Sequence, residues 1–179
     1  IRAVGGGSST VTARITANGQ EKTATVTINV ASDAEEIAQR FVDEALKYVG
    51  MNEQRFENTV GSLVPDGQWC AAFVSECAKK AGVHNVIPYE TGAGTIINST
   101  ITAGGTGFRF NSTDQKWYPK TSVVDRSQFR PQKGDIVALR LKGSSGTTHC
   151  GIVYDVTDSN VLIVHGNWNG RVATSSFTY

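Results

Sequence analysis

Three cysteines and three histidines are the residues of this 179-residue chain best suited to covalent chemistry. An odd number of cysteines leaves at least one thiol outside any disulfide, either as filler in the core or as a reactive group. Cys70 is the candidate for reactivity. It opens a helix predicted over 70–81, where unpaired backbone N–H groups and the helix dipole favour a thiolate. Cys77 sits two helical turns further along the same apolar face, about 10 Å away. That is too far for a disulfide with Cys70, and Cys77 reads as a small buried hydrophobe. Cys150 alternates with Ile152, Tyr154 and Val156 and also reads as core.

A thiolate nucleophile needs a base, and the base needs a group to orient it. His149 starts one strand and His165 ends the next, with the turn Thr157-Asp158-Ser159 between them. If the turn centres on Thr157, His149 faces His165; if it centres on Asp158, His149 faces Asn167. Side chains on a strand alternate, so His165 and Asn167 share one face while Gly166 points away. Either register sets a polar group opposite His149. The chemistry this suggests is Cys–His nucleophilic catalysis, and the plain alternative is a surface pair of histidines. His84 follows the end of the 70–81 helix and reads as solvated.

The elements that must position these groups are legible from periodicity. Ser32-Asp33-Ala34-Glu35 has the form of a capping box. Behind it Ala34, Ile37, Ala38, Phe41, Val42, Ala45, Leu46 and Val49 form an apolar stripe that predicts a helix over 33–49, stopped by Gly50. In the 70–81 helix Cys70, Phe73, Val74, Cys77, Ala78 and Ala81 lie on one face, and Gly82 ends it. Residues 88–131 are rich in Gly, Ser and Thr without strong periodicity and read as a long loop or an excursion with short strands, one wall of a cleft. Four strands follow, at 135–141, 150–156, 161–165 and 171–177. Helices first and antiparallel strands afterwards give an α+β domain over 32–179. Residues 1–31 differ: two alternating Thr- and Val-rich runs around Asn18-Gly19 predict a β-hairpin. The hairpin resembles the last two strands of a bacterial Ig-like repeat.

Composition narrows the partners. Lys plus Arg total 17 and Asp plus Glu 16, with no basic cluster, which argues against nucleic acid. No apolar run approaches the roughly 20 residues that span a bilayer. Neither Cys-x-x-Cys nor His-Glu-x-x-His occurs, and the glycine pairs and triplet lack the context of a phosphate cradle, so no metal and no cofactor is expected. The start at Ile1-Arg2-Ala3, without Met, reads as a piece of a longer precursor. No oligomeric state follows from the sequence.

Four motifs follow one another along the chain: Trp69-Cys70-Ala71-Ala72-Phe73-Val74-Ser75, Pro131-Gln132-Lys133-Gly134-Asp135-Ile136-Val137, Thr148-His149-Cys150-Gly151-Ile152-Val153 and Val164-His165-Gly166-Asn167. In this order they resemble the CHAP family (cysteine, histidine-dependent amidohydrolase/peptidase) of bacterial and phage cell-wall hydrolases. The resemblance implies a papain-like fold of the CHAP and NlpC type, with N-terminal helices packed on an antiparallel sheet. It implies a peptidoglycan substrate cleaved by an amidase or endopeptidase activity, at the cell wall, secreted or phage-associated. Cys70 becomes the nucleophile and His149 the general base. His165 stands where the family commonly has Glu, and is the expected third member, with Asn167 as a second orienting group or the actual third member. Backbone N–H groups at the start of the Cys70 helix would form the oxyanion site, with Gln68 as an added donor. Trp69 and Trp168 are groove candidates, Trp168 the better placed, and Trp117 a weaker one. Some members carry an acidic calcium loop before the Cys; here only Glu57 and Asp66 are available, and no calcium is expected. The rival reading is a cell-surface binding module on a degenerate CHAP fold, with His165 in place of Glu marking lost catalysis.

Overall fold

A computed structural model describes residues 7–30, 33–62, 64, 67–102, 107–111, 116–119, 130–140 and 148–178. The contact pattern divides the chain into two units, 1–37 and 38–179. The division falls six residues beyond the 31/32 boundary expected from the sequence, inside the first helix.

In the first unit, β1 (Gly7–Ala17) and β2 (Gln20–Val30) pair antiparallel around Asn18-Gly19. Both turn residues have positive φ, 52° and 73°, the geometry that favours Asn-Gly in two-residue hairpins. The register sets Val11 opposite Val26 and Ala13 opposite Ala24. Val11, Ile15 and Val26 are exposed.

The second unit is α+β. α1 (Asp33–Leu46) buries Phe41, Val42 and Ala45, and the chain continues in turns through Tyr48 to Gly50 rather than as helix to 49. Ser32 of the expected capping box lies outside the described residues. α2 (Glu53–Val60) was not anticipated. Its Asn52 cap accepts from the Arg55 N–H at 3.0 Å, and Gly61, at φ 74°, closes it. Between α1 and α2 the chain pairs with a later strand: Gly50 N–H donates to Val172 O and Val172 N–H to Met51 O, both at 2.8 Å.

α3 (Cys70–Ala81) ends at Gly82, φ 75°. The expected single apolar face understates its burial. From Cys70 to Ala78 every residue is buried, Ser75 and Glu76 included. Ser75 has a role there: its Oγ donates to Glu90 O at 2.8 Å and accepts from Glu90 N–H at 2.9 Å, clamping the following segment to the helix. That segment contains α4 (Ala93–Thr102), with Ile96 and Ile97 buried, where a long loop was expected.

The sheet has the order β4-β3-β5-β6-β7-β8, with β3 (Gly107–Asn111), β4 (Lys116–Pro119), β5 (Ile136–Arg140), β6 (His149–Val156), β7 (Asn160–Trp168) and β8 (Arg171–Thr178). All neighbours are antiparallel except β3 and β5. In β5 to β7 both faces carry buried side chains. Ile136, Ala138, Cys150, Ile152, Val164 and Val172 pack with the helices. Val137, Leu139, Val153, Val161 and Ile163 form a second cluster on the other face. The site is built where these two faces meet the first turn of α3. Among the described residues no helix is long and apolar enough to cross a membrane.

Candidate active site

Glycine brings α3 onto the sheet. A Cβ on Gly166 in β7 would fall 2.4 Å from Phe73 Cβ and 2.9 Å from Trp69 Cζ3. Only a residue without a side chain lets the first turn of α3 approach this closely. Trp69 caps the helix without a side-chain cap bond, its indole wholly buried and stacked on Phe56 at 5.6 Å and 19°. It is a packing residue and contributes no groove wall. Gln68, next to it, is exposed.

Successive residues of β6 reach Cys70 from opposite faces of the sheet. Cys150 pairs with Ala138 and looks toward the helices; His149 pairs with Leu139 and belongs to the other face. Both side chains approach the Cys70 sulfur, because α3 begins at the end of the sheet where β6 starts. The Cys150 thiol lowers the Cys70 pKa most; burial opposes it, and hydrogen bonding and charge from His149 add to the lowering. The outcome is a value of about 4. Cys70 is therefore a thiolate at neutral pH. The proton stays on Cys150, whose pKa is pushed up by its bond to Cys70 and by burial. The expectation that Cys150 is only core is thus incomplete. Burial pushes the Cys77 thiol up as well. Of the three cysteines only Cys70 keeps any surface, 3%, beside His149 at 5%.

His149 Nε2 lies 2.9 Å from His165 Nδ1. A Cβ on Gly151 would come 2.9 Å from His165 Cβ, so glycine there also makes room for the third side chain. His165 is fully buried, and burial together with the charge of His149 lowers its pKa to about 3. It is a neutral imidazole at any ordinary pH. Its other nitrogen, Nε2, lies 2.9 Å from Ser175 Oγ on β8. Trp168 covers the pair, stacked on His165 at 4.6 Å and 29° and tilted toward His149 at 5.4 Å.

Asn167 is elsewhere. Strand alternation was expected to set it on the His165 face, but its φ is 57° and the β7–β8 register shifts between His165 and Trp168. The bulge turns the side chain away, and its Nδ2 donates to Gly67 O at 2.8 Å, at the approach to α3. Neither register expected for the β6–β7 hairpin holds throughout. The pairs Ile152–Val164 and Val153–Ile163 continue toward His149 facing Asn167, yet the bulge leaves His165 to meet the imidazole diagonally. His84 is exposed, as expected. Glu57 Oε1 accepts from Val64 N–H at 2.8 Å, while Asp66 and the Trp117 side chain lie outside the described residues. Among the described residues no cluster of His, Cys, Asp and Glu could hold a metal ion.

Sequence reasoning missed Cys150 and Ser175 as members of the site. Cys150 was visible as the neighbour of His149 but alternation pointed it into the core; Ser175 carried no signal, because its contact depends on the β7–β8 register.

A cysteine at the start of a buried helix beside a histidine on an antiparallel sheet is the arrangement of papain-like thiol hydrolases, whose third member is Asn; here the histidine's ring neighbour is a second histidine. The CHAP domain family model matches residues 60–167, more than half of the chain and a span that includes Cys70, His149 and His165. The chain belongs to the CHAP family, a family of peptidoglycan-hydrolase type. No curated protein and no solved structure matched the chain.

Proposed function

We propose that this chain hydrolyses an amide bond in the peptide part of peptidoglycan, as an N-acetylmuramoyl-L-alanine amidase or an endopeptidase, at the cell wall of a secreting or phage-infected bacterium. The observation that carries the reading is the convergence of the Cys70 thiolate, His149 and His165. The thiolate attacks the carbonyl carbon. Backbone N–H groups at the first turn of α3, where no side chain caps the helix, receive the oxyanion in this reading, with Gln68 exposed alongside. His149 protonates the departing amine as the C–N bond breaks, leaving a thioester on Cys70. It then takes a proton from water, whose oxygen cleaves the thioester and restores the thiolate. His165 accepts the Nε2–H of His149 and keeps the ring turned toward the sulfur. It does so as a neutral group where Glu would have supplied a charge.

Digestion of purified cell walls by the wild type and by Cys70→Ala, followed by mass spectrometry of the new amines, tests this reading and identifies the bond. Release of amines by the wild type alone supports it; equal release, or none from either, overturns it. The slight exposure of Cys70 favours one second reading, a binding module on the CHAP fold. In that case walls would retain the protein without being cut.

A further inference from the structure

We propose that Ser175 is a positioning residue of this site, holding the buried His165 in the tautomer that lets His149 carry the catalytic proton. The inference rests on the functional reading above but stands on its own geometry. His165 is wholly buried between two hydrogen-bonding partners, His149 Nε2 and Ser175 Oγ, each at 2.9 Å. A neutral imidazole has one N–H and one bare nitrogen. When His149 is protonated both of its nitrogens bear hydrogen, and its Nε2–H needs an acceptor. That acceptor is His165 Nδ1, so the single proton of His165 must sit on Nε2. Ser175 Oγ is the atom placed to accept it. Ser175 is itself half-buried, on the outermost strand of the sheet, so its own O–H can turn to solvent.

Without the hydroxyl, the His165 Nε2–H is a buried donor with no partner, an arrangement the folded protein avoids. The alternative tautomer moves the proton to Nδ1 of His165. It would then donate to His149 Nε2, leaving the proton of neutral His149 on the nitrogen facing Cys70, where it blocks proton acceptance from that side. Ser175 thus acts two residues removed from the sulfur, through the chain Ser175–His165–His149. An acidic third member would need no such support, since a carboxylate only accepts.

The test uses ¹⁵N-labelled imidazoles in the full chain. Long-range ¹H–¹⁵N spectra of the wild type should show His165 protonated on Nε2 and bare on Nδ1. Ser175→Ala should shift this tautomer and lower the rate of wall hydrolysis about ten-fold, while Ser175→Thr, which keeps the hydroxyl, should restore both. Wild-type His165 protonated on Nδ1 overturns the proposal, as does Ser175→Ala with unchanged tautomer and rate. The wild-type spectrum needs no variant to fold. Failure of the wild type to cut walls would overturn the hydrolase reading alone, because the tautomers are read without turnover.

Discussion

His149 Nε2 stands 2.9 Å from His165 Nδ1, and the second ring is sealed from solvent while the first keeps a small opening. Burial of the orienting residue has a thermodynamic consequence. The folded-state pKa of His165 is depressed from 6.5 to about 3, so between those values the unfolded chain holds a proton that the folded chain refuses. Stability therefore falls as pH drops through this window, by up to about 1.4 kcal/mol per pH unit from this residue. His165→Gln, which cannot titrate, should show a correspondingly shallower acid slope in urea unfolding at pH 4–6. Identical slopes would mean that His165 is protonated in the folded state.

The low pKa of Cys70 predicts selective chemistry. Iodoacetamide should modify Cys70 with a pH dependence centred near 4, while Cys77 and Cys150, buried and pushed up, stay unmodified in the folded protein. Because the Cys150 thiol is the largest lowering influence, Cys150→Ala should move the Cys70 profile to higher pH, and Cys150→Ser should move it less. An unchanged profile in Cys150→Ala would remove Cys150 from the site.

Gly166 is the close approach that seats α3. Adding one methyl, Gly166→Ala, sets a Cβ 2.4 Å from Phe73 Cβ and must displace the helix that carries Cys70. The expected loss is about 1–3 kcal/mol of stability, with wall hydrolysis falling further than the lost folded fraction explains. Calorimetry and rate measurement on the same sample check both; wild-type activity in the folded variant would contradict the packing argument.

Asn167 separates two roles. As the third catalytic member, its loss would alter the His149 tautomer. As an anchor for Gly67, its loss should loosen the approach to α3 and leave the imidazoles as they are. Asn167→Gly tolerates the left-handed backbone and deletes the side chain with its amide. We expect a loss of stability of about 1 kcal/mol and an unchanged imidazole spectrum. A changed spectrum would return Asn167 to the imidazole network.

Much of the frame was legible in the residues themselves. α3 and strands β5 to β8 follow from periods of 3.6 and 2, and Asn18-Gly19 from the turn geometry that Asn and Gly tolerate. The order of the four motifs named the family and singled out Cys70 and His149. α2 and α4 escaped notice for different reasons. α2 is eight residues long and buries only Phe56 and Val60, too short a pattern to read. Apart from Ala93, α4 is built from Gly, Thr, Ser, Asn and Ile, weaker helix formers held in place by the burial of Ile96 and Ile97.

What tertiary structure alone decided is how the site is wired. Alternation along a strand is a local rule, and it correctly sends His149 and Cys150 to opposite faces. It does not reveal that a helix start at the strand's end lets both touch one sulfur. Nor does it foresee that a bulge at Gly166-Asn167 removes Asn167 and leaves His165 between His149 and Ser175. Contacts of that kind depend on where separate elements stop and how their registers slip, and those depend on packing summed over the whole domain.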